Sequence, residues 1–196
     1  MVELEQIRSF IAVELPEELR LELGRFEAYL KSDAHPRVKW VNPDSIHLTL
    51  KFLGNIGADR VGEIMGAIEE ASLEVPPFQL KVKDSGVFPS VKRARVAWVG
   101  LSGDTDRLIR LQQSLESGLE RLSFAAESKA FTPHLTLARL QERSTPEERQ
   151  RFGRLIAEAV FEAATIINVT TVSLMKSHLT RQGAVYSRLG MVSLKG

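Results

Sequence analysis

Four side chains in this sequence are spaced for acid–base chemistry. The tetrapeptide His-Leu-Thr-Leu stands at 47–50 and again at 134–137, an offset of 87. In a β-strand, residues i and i+2 share a face. Each copy therefore puts a histidine and a threonine (His47 and Thr49, His134 and Thr136) on one side and two leucines on the other. The leucines suit a core, which leaves the polar pair to solvent or a cleft. Two such strands facing across a cleft would bring two imidazoles and two hydroxyls to one ligand. Imidazole is the side chain whose ordinary pKa lies near neutrality. A neutral histidine can take a proton from water while a protonated one gives a proton to a leaving oxygen. Threonine hydroxyls can donate to phosphate oxygens, each such bond worth about 1.5–3 kcal/mol. The expected chemistry is attack on a phosphodiester without metal or cofactor. A strained five-membered cyclic phosphate suits it, because its leaving oxygen stays tethered. At this level either histidine can be the acid.

Competing readings of these residues are weaker. His178-Leu179-Thr180 repeats the string, but Arg181 breaks the alternation, so His178 reads as a loop or strand-end residue. His35 precedes Pro36 in a polar stretch and reads as solvated. Threonine is not a usual zinc ligand, and neither tetrapeptide has Cys, Asp or Glu at ligand spacing. No G-x-S-x-G nucleophile motif is present.

The elements that must position the motifs follow from apolar periodicity. Strands are predicted at Ile7–Leu15, Val38–Val41, Ile46–Leu53 and Phe78–Val87 in the first half. The second half has Val96–Leu101, Phe131–Leu140, Ile166–Met175 and Ala184–Leu189. Helical spacing follows Pro16 (Leu19, Leu23, Phe26, Leu30), runs from about Asp59 to Leu73, and recurs from Asp104 to Leu122. A fourth helix starts at Thr145-Pro146-Glu147-Glu148 and runs to about Phe161. Gly54-Asn55-Ile56-Gly57 is expected to end the first motif strand. Both halves then read strand, helix, strand, helix, strand. The reading is an internal repeat over approximately 7–87 and 94–190, packed as a single two-lobed domain over 1–196.

Composition sets the surroundings. With 26 Lys+Arg against 25 Asp+Glu, the net charge is +1, which excludes a dominant basic surface and leaves only local patches for nucleic acid. The absence of cysteine removes disulfides, thiolate zinc sites and a Cys nucleophile. The start, MVELEQIRSF, lacks the apolar core of a signal peptide, and no apolar run approaches a membrane span. A cytoplasmic location is expected, with no membrane and no obligate protein partner.

Several residues could support the site. Lys51, four residues from His47, falls on the His47 face by strand parity; the alternative is a solvated edge lysine. Arg139 has odd parity with His134 and faces away unless a bulge intervenes. Lys92, Arg93 and Arg95 form a basic run that could hold an RNA backbone, as could the four cations of residues 175–196. Phe131, three residues before His134, could stack a base, and Trp40 and Trp98 are weaker candidates.

The chain resembles the RNA 2′,3′-cyclic phosphodiesterases of the 2H phosphoesterase superfamily, the ThpR/LigT family once called 2′-5′ RNA ligases. The resemblance runs through RSFIAVELP, VKWVNPDSIHLTLKFLGNI, RVAWVGL, FTPHLTLARL and SHLTRQGAVYSRL. It implies an α+β fold of two pseudo-symmetric lobes. Each would be a mainly antiparallel sheet with helices outside, around a central cleft, and one lobe would gather both termini. It implies hydrolysis of RNA 2′,3′-cyclic phosphate ends to 2′-phosphomonoesters. It also implies roles: His47 as proton donor, His134 as proton acceptor, Thr49 and Thr136 on the phosphate. The family usually carries an acidic residue where His178 stands. Two alternatives remain: a ligase running the same chemistry backwards, and a noncatalytic nucleotide- or RNA-binding module.

Overall fold

The computed structural model describes residues 6–32, 37–180 and 183–196. His35 and Arg181 therefore lie outside the described residues. The element order is β1 (Gln6–Glu14), α1 (Glu17–Lys31), β2 (Val38–Trp40), β3 (His47–Gly57), α2 (Val61–Leu73) and β4 (Phe78–Phe88). It continues with β5 (Val96–Gly103), α3 (Thr105–Arg121), β6 (His134–Leu140), α4 (Pro146–Glu158), β7 (Glu162–Val169), β8 (Thr171–Thr180) and β9 (Gly183–Ser193).

The strands form two antiparallel sheets, one in the order β3-β1-β8-β9 and one in the order β2-β6-β5-β4-β7. Each motif strand lies beside the strand that opens its own half, β3 on β1 and β6 on β5. The third strand of each set is exchanged. β8 from the second half pairs with β1, and β4 from the first half pairs with β5. Helices cross over as well: α1 packs on β7 of the five-stranded sheet, and α3 packs on β3 and α2 beside the four-stranded one. The main apolar core of the described residues runs through both sheets, and a small second cluster gathers Phe10, Ala12 and Met175.

Local chemistry explains the helices. α3 buries Leu108, Leu111, Leu115 and Leu119 completely, at about 1.5–3 kcal/mol each. α4 opens with a capping box: Thr145 accepts from the Glu148 amide, and Glu148 accepts from the Thr145 amide. Gly153 lets α4 seat directly on the short turn Val91–Arg93, since a Cβ there would stand 2.1 Å from the Val91 carbonyl oxygen.

Two expectations about strands need correction. The run Ile166–Met175 is not one strand. It is the end of β7 and the start of β8, which belong to different sheets, with Thr170 at the crossing. Both pieces are rich in β-branched residues, so the run reads as continuous although the chain changes sheet. Gly54 does not end β3 either. It takes φ +72° at a register shift against β1, and the strand continues to Gly57.

Candidate active site

Positions 47–49 and 134–136 run along the walls of one cleft of about 1040 Å³, and all four motif side chains line it. β3 and β6 come within 8 Å of each other, Cα to Cα, across the gap. Leu48, Leu135 and Leu137 are buried on the opposite faces, as strand alternation requires, and Leu50, the bulged residue, is buried at the cleft wall. A second groove, about 620 Å³, lies along α1 beside Leu21, Phe26 and Phe161 and holds no histidine.

The two imidazoles are held alike. His47 Nδ1 lies 2.9 Å from the Ser45 carbonyl oxygen, and His134 Nδ1 lies 2.7 Å from that of Thr132. A carbonyl only accepts, so each Nδ1 carries the proton and Nε2 is left for the cleft. Phe10 stacks on the His47 ring at 4.5 Å, and Tyr186 meets it edge-on at 5.0 Å. Phe88 meets His134 edge-on at 5.0 Å. Burial among these rings lowers the proton affinity of both histidines, opposed in each by the carbonyl bond. The neighbouring charges differ in sign. The Glu14 carboxylate raises the affinity of His47, whereas the Arg139 guanidinium lowers that of His134.

The supporting residues divide sharply. Opposite β1, Ile11 pairs with Lys51 and Ala12 with Thr49, so Leu50 is the extra residue of a bulge. Opposite β5, Ala97 pairs with Ala138 and Trp98 with Thr136, so Leu137 is the extra residue of a matching bulge. A bulge reverses parity beyond itself. Lys51, expected on the His47 face, is still among the cleft-lining residues, but past the bulge its ammonium is drawn into the protein rather than left in the open cleft. Its side chain is 3% exposed, and its ammonium lies 2.7 Å from both Glu116 Oε2 and the Ala125 carbonyl oxygen. Arg139, expected to face away without a bulge, lines the cleft because the bulge is there. Phe131 also lines the cleft, half-buried. Arg95 is exposed just before β5 and is not among the lining residues. Neither are Trp40, which lies under the Lys31 ammonium, and Trp98, which packs on Phe88.

His178 is exposed on β8, alternating with the cleft-lining Ser177. Of the cations in 175–196, Arg188 pairs with Glu14 and Lys195 with Glu69. Among the described residues, no group of three or more His, Asp or Glu is placed to hold a metal ion, and no helix is long and apolar enough to cross a membrane.

Sequence reasoning passed over Phe10, Phe52, Tyr186 and Glu14. A signal for Phe52 and Arg139 was present. The apolar register runs Leu48, Leu50, then Leu53, and Leu135, Leu137, then Leu140; each switch from even to odd spacing marks the bulge.

This arrangement has close relatives. The family described as LigT like phosphoesterase matches twice, over residues 13–98 and 99–186. An RNA 2′,3′-cyclic phosphodiesterase of Methanothermobacter thermautotrophicus is 32% identical over 96% of this chain and 100% of its own length. One from Aeropyrum pernix is 32% identical over 85% and 93%. Among solved structures, a Thermus thermophilus protein superposes with a TM-score of 0.79 at 27% identity, covering 97% of this chain and 99% of that one. E. coli LigT complexed with 3′-AMP gives 0.76 at 26% identity, covering 98% and 100%. Matched over nearly its whole length by family, relatives and fold, the chain belongs to the LigT-like phosphoesterases of the 2H superfamily.

Proposed function

We propose that this protein hydrolyses RNA 2′,3′-cyclic phosphate ends to 2′-phosphomonoesters, by acid–base catalysis between His47 and His134. The observation that carries the reading is the pair of Nδ1–carbonyl bonds, which leave a free Nε2 on each of two histidines lining one cleft. His134, beside the Arg139 guanidinium that disfavours its protonated form, acts as the neutral base and takes a proton from water. The water oxygen bonds to phosphorus as the bond to O3′ breaks. His47, beside the Glu14 carboxylate that favours its protonated form, gives its proton to O3′. Thr49 and Thr136 donate to the non-bridging phosphate oxygens, whose charge grows in the transition state. Arg139 and Phe131 extend the site toward the rest of the nucleotide. The substrate partner is RNA or a nucleotide bearing the cyclic phosphate, and the place of action is the cytoplasm.

The test is an oligoribonucleotide ending in a 2′,3′-cyclic phosphate, incubated with the protein in excess EDTA. The expected product is the 2′-phosphate, formed at a rate indifferent to the chelator. A 3′-phosphate product, or activity that one divalent ion restores, overturns the mechanism.

A further inference from the structure

The two motif strands present the same catalytic groups, so something outside them must decide which imidazole gives a proton and which takes one. The residues directly across the adjoining strands differ. Glu14 on β1 stands opposite His47; Gly100 on β5 stands opposite His134 and offers no side chain. Glu14 shares its face of β1 with Ala12 and Phe10, the face on which Phe10 stacks against His47.

Three donors fix the Glu14 carboxylate. Oε1 accepts from Arg188 Nε at 2.7 Å and from Ser173 Oγ at 2.6 Å, and Oε2 accepts from Arg188 Nη2 at 2.9 Å. Ser173 is buried, so this clamp has a rigid side as well as an exposed one.

We infer that Glu14, clamped by Arg188 and Ser173, is the positioning residue that keeps the exchangeable proton on His47 and so makes it the donor. The inference rests on the acid–base reading given above. Arg139 acts with the opposite sign on His134. The lowered affinity of the Glu14 carboxyl for its own proton, caused first by the Arg188 bond, keeps it anionic through the working range. The other groups around His47 do not compete for this role. Tyr186 on β9 is held neutral by burial. Arg8 pairs with Asn55 at the end of the β1–β3 ladder away from the Glu14–His47 pair, and His134 and Arg139 on β6, with Glu127 and Lys129 ahead of β6, stand along the cleft.

The test is an NMR titration of both imidazoles without substrate, in the wild type and in Glu14→Gln, Arg188→Gln and Arg139→Gln. Gln at 14 can still accept through its one oxygen from Arg188 Nε and Ser173 Oγ, and gives up only the bond from Arg188 Nη2, which its NH2 cannot accept. Glu14→Gln should move the His47 titration to lower pH and leave His134 in place. Arg188→Gln uncovers the carboxylate and should move His47 the other way. Arg139→Gln should move His134 to higher pH. In the pH–rate profile, Glu14→Gln should pull in the alkaline limb alone, with roughly threefold lower relative rate one pH unit above the optimum. An unmoved His47 in Glu14→Gln overturns the inference. So does movement in the same direction in Glu14→Gln and Arg188→Gln, which is what a purely structural clamp would give. The titration is read without turnover, so its result stands apart from whether cyclic phosphates are hydrolysed.

Discussion

β3 and β6 carry the same four-residue motif, bulge at the same place and face the same cleft, yet their next two residues do different work. Past the bulge, β3 buries the Lys51 ammonium against Glu116 at the cleft wall and leaves Phe52 exposed on the cleft. β6 places Ala138 inward and Arg139 outward. Across the adjoining strands, Glu14 faces one histidine and Gly100 the other. What repeats is the machinery for moving two protons and gripping one phosphate. What differs is the charge around each copy, and a reaction that needs one acid and one base needs that difference.

The comparison breaks most visibly at the histidines. His47→Ala and His134→Ala should each lower the single-turnover rate by roughly 10²–10⁴-fold, a similar loss from either strand. Their pH profiles should part company. Loss of His47 removes the alkaline limb and loss of His134 the acid limb; the reverse pattern would exchange the two roles. Both histidines are depressed by burial, so the wild-type bell should centre on the acid side of a free imidazole.

Lys51→Ala makes β3 match β6 at that position. It strands Glu116 and the Ala125 carbonyl oxygen and should cost about 3 kcal/mol of stability, read by denaturant melts. Its turnover, measured well below the melting temperature, should stay within about twofold of wild type. A stable variant with a large loss of turnover would put Lys51 on the substrate after all.

The helices sharpen the same contrast. Gln112 of α3 is buried and bonded to Glu116, whereas Glu27 of α1 is fully buried with one carboxyl oxygen unpartnered. Burial pushes the Glu27 carboxyl up to about 7, partly opposed by Lys31 at 3.1 Å. The folded chain thus holds this proton more tightly than the unfolded chain does. Its stabilising effect is complete below the ordinary value near 4.5 and is lost as pH rises to about 7. Thermal melts should show about 3 kcal/mol lost across that window, and Glu27→Gln should flatten the dependence.

Smaller effects belong to the threonines. Thr49→Ala and Thr136→Ala should cost on the order of tenfold to a hundredfold in rate, as for one charge-assisted hydrogen bond each. Unequal losses would show that the phosphate leans toward one strand. His178→Ala should leave the rate unchanged, since the side chain sits on β8 outside the cleft lining. A wild-type-sized loss there would overturn the site.

Most of this was legible in the chain because it obeys local rules. Helices announce themselves by leucine spacing and a capping box, and the motif strands by alternation. The failures share a cause: each concerns a place where pairing, not the strand itself, decides the outcome. Parity counted from His47 takes Lys51 to the cleft, where its side chain is indeed found, but the extra residue opposite β1 and the pairing with Glu116 bury its ammonium, which parity cannot show. Arg95 was attractive for its charge and neighbours, but the chain passes the cleft at Phe88 and Pro89 before reaching it. Phe10, Tyr186 and Glu14 belong to strands 33 residues or more from either motif, and only the β1–β3 and β8–β9 ladders bring them to His47.

The exchange of strands has a consequence for anyone who cuts this chain. Residues 6–88 alone would carry β1 and β3 without β8, and β4 without β5, leaving unpaired edges and no closed sheet. The remainder would fare no better. Neither fragment is an ancestor in miniature that could be expressed and studied as a half-site, since open edges of this kind template aggregation. Supplied together, the two pieces have complementary edges, and a split gene whose products reassemble is the form in which the halves could be mutated independently.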